Sequence, residues 1–208
     1  MAASPDEPSS SEYDPVFASD APRADAEEPA FRAFRDASRA YLSSPVSWLV
    51  WALVLPATAL STATAYRLAA ERGVLALWSV AILLGGAVEG ALVLRGRRRF
   101  GGSRLASWAM SSQGNLSLVA VVLSGLLLWR GEAWMLPGLW LLLLGHSFFD
   151  LGGLAWRPLR VYGVIYQLGG ALALLPEGRP LAIFAATTAI ANLWMSWSVA
   201  RYAAASRS

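Results

Sequence analysis

The chain contains no cysteine, which excludes disulfides, thiolate nucleophiles and sulfur-ligated metals or clusters. Lysine is absent too: all 17 basic residues are arginine, so Schiff-base attachment of retinal or pyridoxal is closed to it. The single histidine, His146, rules out a multi-histidine metal site. Charge of either sign is scarce, 15% of residues against 56% hydrophobic, whereas soluble domains carry about 25% charged residues. Phosphate-loop, nucleophile-elbow, His-Glu-x-x-His and dinucleotide signatures are missing. No familiar enzyme motif survives, and no cofactor is expected.

What the sequence has is apolar length, with a mean hydropathy of +0.45. The apolar residues come in separate runs of roughly 17 to 25, each enough to cross about 30 Å of hydrocarbon as a helix. The expected fold is therefore all-α, a polytopic transmembrane bundle of about six helices at residues 46–66, 74–94, 105–129, 134–156, 159–176 and 181–200. Short separators force neighbouring helices to run antiparallel and leave no room for a soluble catalytic domain.

Ahead of the bundle, residues 1–29 hold eight acids (Asp6, Glu7, Glu12, Asp14, Asp20, Asp25, Glu27, Glu28) against Arg23 alone. With no apolar period to offset the entropy of ordering, this acidic tail is expected to be disordered and is a candidate docking segment for a protein partner. Nothing in it reads as a removable signal peptide. Residues 30–45 read as an interfacial amphipathic segment, with Phe31, Phe34, Tyr41 and Leu42 toward one side and Arg32, Arg35 and Arg39 toward another. An ordinary juxtamembrane linker would carry the same residues.

Arginines flanking spans are retained on the cytoplasmic side. Placing both termini there gathers Arg32, Arg35, Arg39, Arg95, Arg97, Arg98, Arg99, Arg104, Arg157, Arg160, Arg201 and Arg207 inside and leaves Arg67, Arg72, Arg130 and Arg179 outside. The expected location is the inner membrane, N-in and C-in, with the lipid bilayer as the principal partner and homo-oligomerisation open. The run from Arg95 to Arg99 fits topology and lipid headgroups rather than nucleic acid. Trp48, Trp78, Trp108, Trp129, Trp134 and Trp156 fall near span ends, where indole rings anchor at the headgroup level.

Polar residues inside spans are the functional suspects. They are Glu89, Gln113, Asn115, His146, Asp150, Gln167 and Asn192. At 1.5 Å per residue, all seven lie roughly 8 to 15 Å from the arginine-rich boundary. That common depth suggests a polar vestibule open to the cytoplasm. His146 and Asp150, four apart on one helix face, are placed to pair, and Glu89 would be a third member of a proton relay. The plainer account has Glu89 and Asp150 reaching snorkelling arginines, with the amides bonding helix to helix.

Glycines point to packing: Gly86 and Gly90 form a G-x-x-x-G, and Gly138, Gly145 and Gly152 recur every seven residues in the fourth span. That stripe places the fourth span centrally. A faint internal repeat pairs Leu84-Gly85-Gly86-Ala87 with Leu168-Gly169-Gly170-Ala171, and Asn115-Leu116 with Asn192-Leu193, as an inverted three-plus-three duplication would. Three functions stand open: an accessory or regulatory membrane subunit, a small proton-linked transporter or channel, and an intramembrane enzyme acting on lipid.

Overall fold

The computed structural model describes residues 44–67, 72–100, 104–154, 156–176 and 178–205. The expected tail at 1–29 and nearly all of the interfacial segment at 30–45 lie outside them. The described residues form six α-helices and no strand: α1 (Pro45–Arg67), α2 (Arg72–Phe100), α3 (Arg104–Trp129), α4 (Leu136–Leu154), α5 (Arg157–Ala173) and α6 (Pro180–Ala205). A 3-10 turn, Ala133–Met135, leads into α4.

Each of the six apolar runs became one helix. Four segments are long and apolar enough to cross a membrane: Pro45–Tyr66, Ser111–Trp129, Ala133–Gly153 and Pro180–Tyr202. The other two helices have different reasons to exist. In α2 the apolar stretch is only Ala76–Leu92, and the helix continues through the arginine run to Phe100, since arginine is a good helix former. In α5, 17 residues long, one face carries Leu159, Tyr162, Gly163, Tyr166, Gly169, Gly170 and Ala173, all buried. Their three-and-four spacing is the stripe of a helix packed on neighbours rather than on solvent.

The α3–α4 connection is closed by Gly131 at φ 79°. Its N–H donates to the Leu128 carbonyl at 3.1 Å and that of Glu132 to Leu127 at 2.8 Å, the left-handed helix ending that glycine accepts without steric cost. Pro137 sits in the first turn of α4, where its missing N–H costs nothing. Pro56 lies inside α1.

The strongest pairing in the bundle is α4 against α5, and its cause is the glycine stripe. A methyl built on Gly145 would lie 2.7 Å from the Gly163 carbonyl oxygen, and one on Gly170 would lie 2.9 Å from that of Gly138. Backbones approach where no side chain intervenes. The seven-residue repeat in α4 thus does what its spacing suggests, and Gly163 and Gly170 answer it on α5. The Gly86–Gly90 motif does not: a methyl on either meets nothing within 4 Å. It is the neighbouring Gly85 that receives a helix, under the ring of Trp51.

Helices α5 and α6, not α4, occupy the centre. The core joins Trp48 and Ala59 of α1, Leu141 of α4, Leu159, Tyr162 and Tyr166 of α5, and Phe184, Ala191 and Met195 of α6. Helix α2 leans mainly on α1, and α3 touches α4. Both leave broad apolar faces uncovered, including Leu83 and Leu84 on α2 and Leu118, Val121 and Val122 on α3. In water such faces would be an aggregation liability. In a bilayer they are the natural outer surface.

Candidate functional site

The best-built polar cluster lies at the middle of the core. Four-residue spacing puts Tyr162 and Tyr166 on one face of α5, and Thr188 and Asn192 on one face of α6. Where the faces meet, the two tyrosine hydroxyls are 2.8 Å apart, and Tyr162 donates to Asn192 Oδ1 at 2.9 Å. Asn192 Nδ2 donates to the Tyr166 hydroxyl at 3.0 Å and to the Thr188 carbonyl at 2.7 Å. Each hydroxyl has one proton to give. With Tyr162 donating to Asn192, Tyr166 donates to Tyr162, and every side-chain donor in the ring is used.

Aromatic rings seal this ring of hydrogen bonds. Phe148 stands edge-on to Tyr162 at 4.8 Å between centroids and Trp48 edge-on at 5.1 Å. Such tilted contacts suit the quadrupoles of the rings. Trp48 is therefore a core residue, not a headgroup anchor. Trp78 also turns inward, donating to the Thr62 hydroxyl at 2.9 Å and packing on Phe184. Trp156 packs on Tyr202. Only Trp129, 83% exposed, and Trp134, 41% exposed, keep an outward position at the α3–α4 turn; the side chain of Trp108 lies outside the described residues.

Glu89, on α2, accepts a hydrogen bond from Trp51 Nε1 at 2.9 Å. Trp51 precedes Thr62 by eleven residues and Trp78 precedes Glu89 by eleven, so the two indole bonds are rungs of one antiparallel register. Glu89 reaches no arginine within ion-pair distance among the described residues.

His146 and Asp150 do pair, Nε2 to Oδ2 at 3.4 Å, but on the outer face of α4, with side chains 62% and 63% exposed. Asn115 is exposed and Gln113 half-buried on α3. Trp140 of α4 donates to Ser124 of α3 at 3.0 Å. Gln167 packs by its backbone and Cγ against Gly145. The seven residues thus divide. Asn192 belongs to the interior, Glu89 to the α1–α2 contact, His146 and Asp150 to an exposed face of α4, Asn115 to an exposed face of α3 with Gln113 half-buried on another, and Gln167 to the α4–α5 seam.

Tyrosines carried the interior site and sequence reasoning passed over them, counting their rings as apolar. The available signal was two hydroxyls four residues apart in a 17-residue helix that also carries glycines on that face. The repeat fares poorly: Gly85 and Asn115 lie on outer helices, Gly169 and Asn192 in the centre. Among the described residues no three His, Asp or Glu side chains gather as metal ligands. Ser147 is the buried side chain whose hydroxyl has no partner among them. Comparison with family models, with curated proteins and with solved structures gives no match.

Proposed function

We propose that this chain is an accessory subunit of a membrane assembly, with six spans and both termini cytoplasmic in an inner membrane. One observation carries the reading. The ring of Tyr162, Tyr166 and Asn192 is satisfied within itself, while the His146–Asp150 pair on α4 and Asn115 on α3 stand exposed. An aspartate within a span costs about 3 kcal/mol against lipid. A partner helix that donates hydrogen bonds to it removes that cost, so the exposed face of α4 that carries His146 and Asp150 is the docking surface of this reading. The orientation rests on the arginine distribution: tags at residues 131 and 178 label from outside, and one at residue 101 does not.

The test replaces His146→Phe, Asp150→Asn and Asn115→Leu in the full chain and follows partner co-purification beside thermal unfolding in detergent. The expected outcome is loss of the partner at unchanged unfolding temperature. A proton-linked transporter is the second reading, favoured by the Glu89 carboxylate, which sits within α2 without an arginine beside it and accepts a hydrogen bond from Trp51. Glu89→Gln in liposomes then abolishes pH-dependent flux, and flux at any pH in wild-type vesicles defeats the subunit reading.

A further inference from the structure

A third set of charged groups lies where α5 begins and α6 ends. The edge-to-face contact of Trp156 with Tyr202, 5.9 Å between centroids, holds these two helix ends together. Their chain neighbours Arg157 and Arg201 therefore stand at the same end of the bundle, and Arg160 follows one turn along α5. All three arginines are exposed. Among the described residues none has a carboxylate within 4 Å, and nearby Asp150 is engaged by His146.

Two of these guanidinium groups are set in place by rings. Arg160 lies along Gly152 and Gly153 of α4, with its guanidinium carbon 5.7 Å from the Phe149 centroid. Arg201 has its own 4.7 Å above Trp197. A guanidinium held over a ring still has N–H donors to offer, and a phosphate can take two of them in parallel. Phe149, Val161 and Trp197 beside these groups are exposed apolar surface.

From this arrangement we infer that this end of the bundle, through Arg157, Arg160 and Arg201, binds anionic phospholipid headgroups. The guanidinium groups take headgroup phosphates, and the exposed rings and Val161 meet acyl chains. The uncovered apolar surface next to the cations selects a lipid over a free anion. This site needs only that the chain lie in a membrane, and is independent of the docking surface proposed on α4.

The full chain in mild detergent, titrated with phosphatidylglycerol or phosphatidylcholine and read by native mass spectrometry, tests it. Wild type retains phosphatidylglycerol in preference to phosphatidylcholine. Arg160→Gln with Arg201→Gln weakens that binding roughly thirtyfold, as removal of two basic residues at a membrane surface does. The matched pair Arg130→Gln with Arg179→Gln, at the opposite end, leaves it unchanged. Should the first pair misfold, Arg157→Gln alone is read for a loss of about fivefold. Undiminished phosphatidylglycerol binding by the variants overturns the site, and so does equal competition by millimolar inorganic phosphate.

Discussion

Helices α3 and α6 are each 26 residues long, and each carries an asparagine followed by leucine. Their surroundings are opposite: half of the apolar window of α6 is buried, 50%, against 6% for α3. Asn192 on α6 uses both of its donor hydrogens on Tyr166 and Thr188, while Asn115 on α3 faces outward. Hydropathy decides that a segment crosses lipid. What a polar residue on it does is decided by the neighbour it meets, which the segment's own sequence does not contain.

The contrast is easiest to break with glycines. Gly163→Ala puts a methyl 2.6 Å from the Gly145 carbonyl oxygen, and prying α4 from α5 costs about 2 to 3 kcal/mol. Gly86→Ala, open to 4 Å, gains roughly 0.5 to 1 kcal/mol through helix propensity. Thermal unfolding of the two variants in one detergent should move in opposite directions. Equal shifts would mean that the inner and outer helices are packed alike.

The asparagines give the next largest effect. Asn192→Leu strands the tyrosine hydroxyls and is expected to cost about 2 kcal/mol, the penalty of buried groups left unpaired. Asn115→Leu leaves the unfolding temperature of the isolated chain where it was. A smaller loss, about 1 kcal/mol, follows Trp51→Phe, which takes the donor from Glu89. His146→Phe is the smallest, since an exposed pair adds little to folding stability; its effect belongs to partner retention.

The helices were legible because each apolar run is long enough to read on its own, and the heptad of Gly138, Gly145 and Gly152 showed a packing stripe before any partner was known. The Gly86–Gly90 motif had the same form and proved open, because spacing along one helix does not say whether another helix arrives. Trp48 and Trp78 sit near helix ends as anchors do, yet depth in a bilayer says nothing of direction around the axis. Tyr162 and Asn192 are thirty residues apart, and only the α5–α6 packing brings them together. The sequence suggests a shared depth for the seven polar residues, but it does not contain the side of the bundle that each one faces.

Because the chain has no cysteine, single cysteines introduced at Val121, Leu83 and Met195 can each carry one spin label in a lipid bilayer. Collision with molecular oxygen, which concentrates in lipid, and with a water-soluble nickel chelate then reports what surrounds each site. The account predicts high oxygen and low nickel accessibility at Val121 and Leu83, and low accessibility to both at Met195. Nickel reaching Val121 and Leu83 as freely as it reaches a water-exposed label would contradict it.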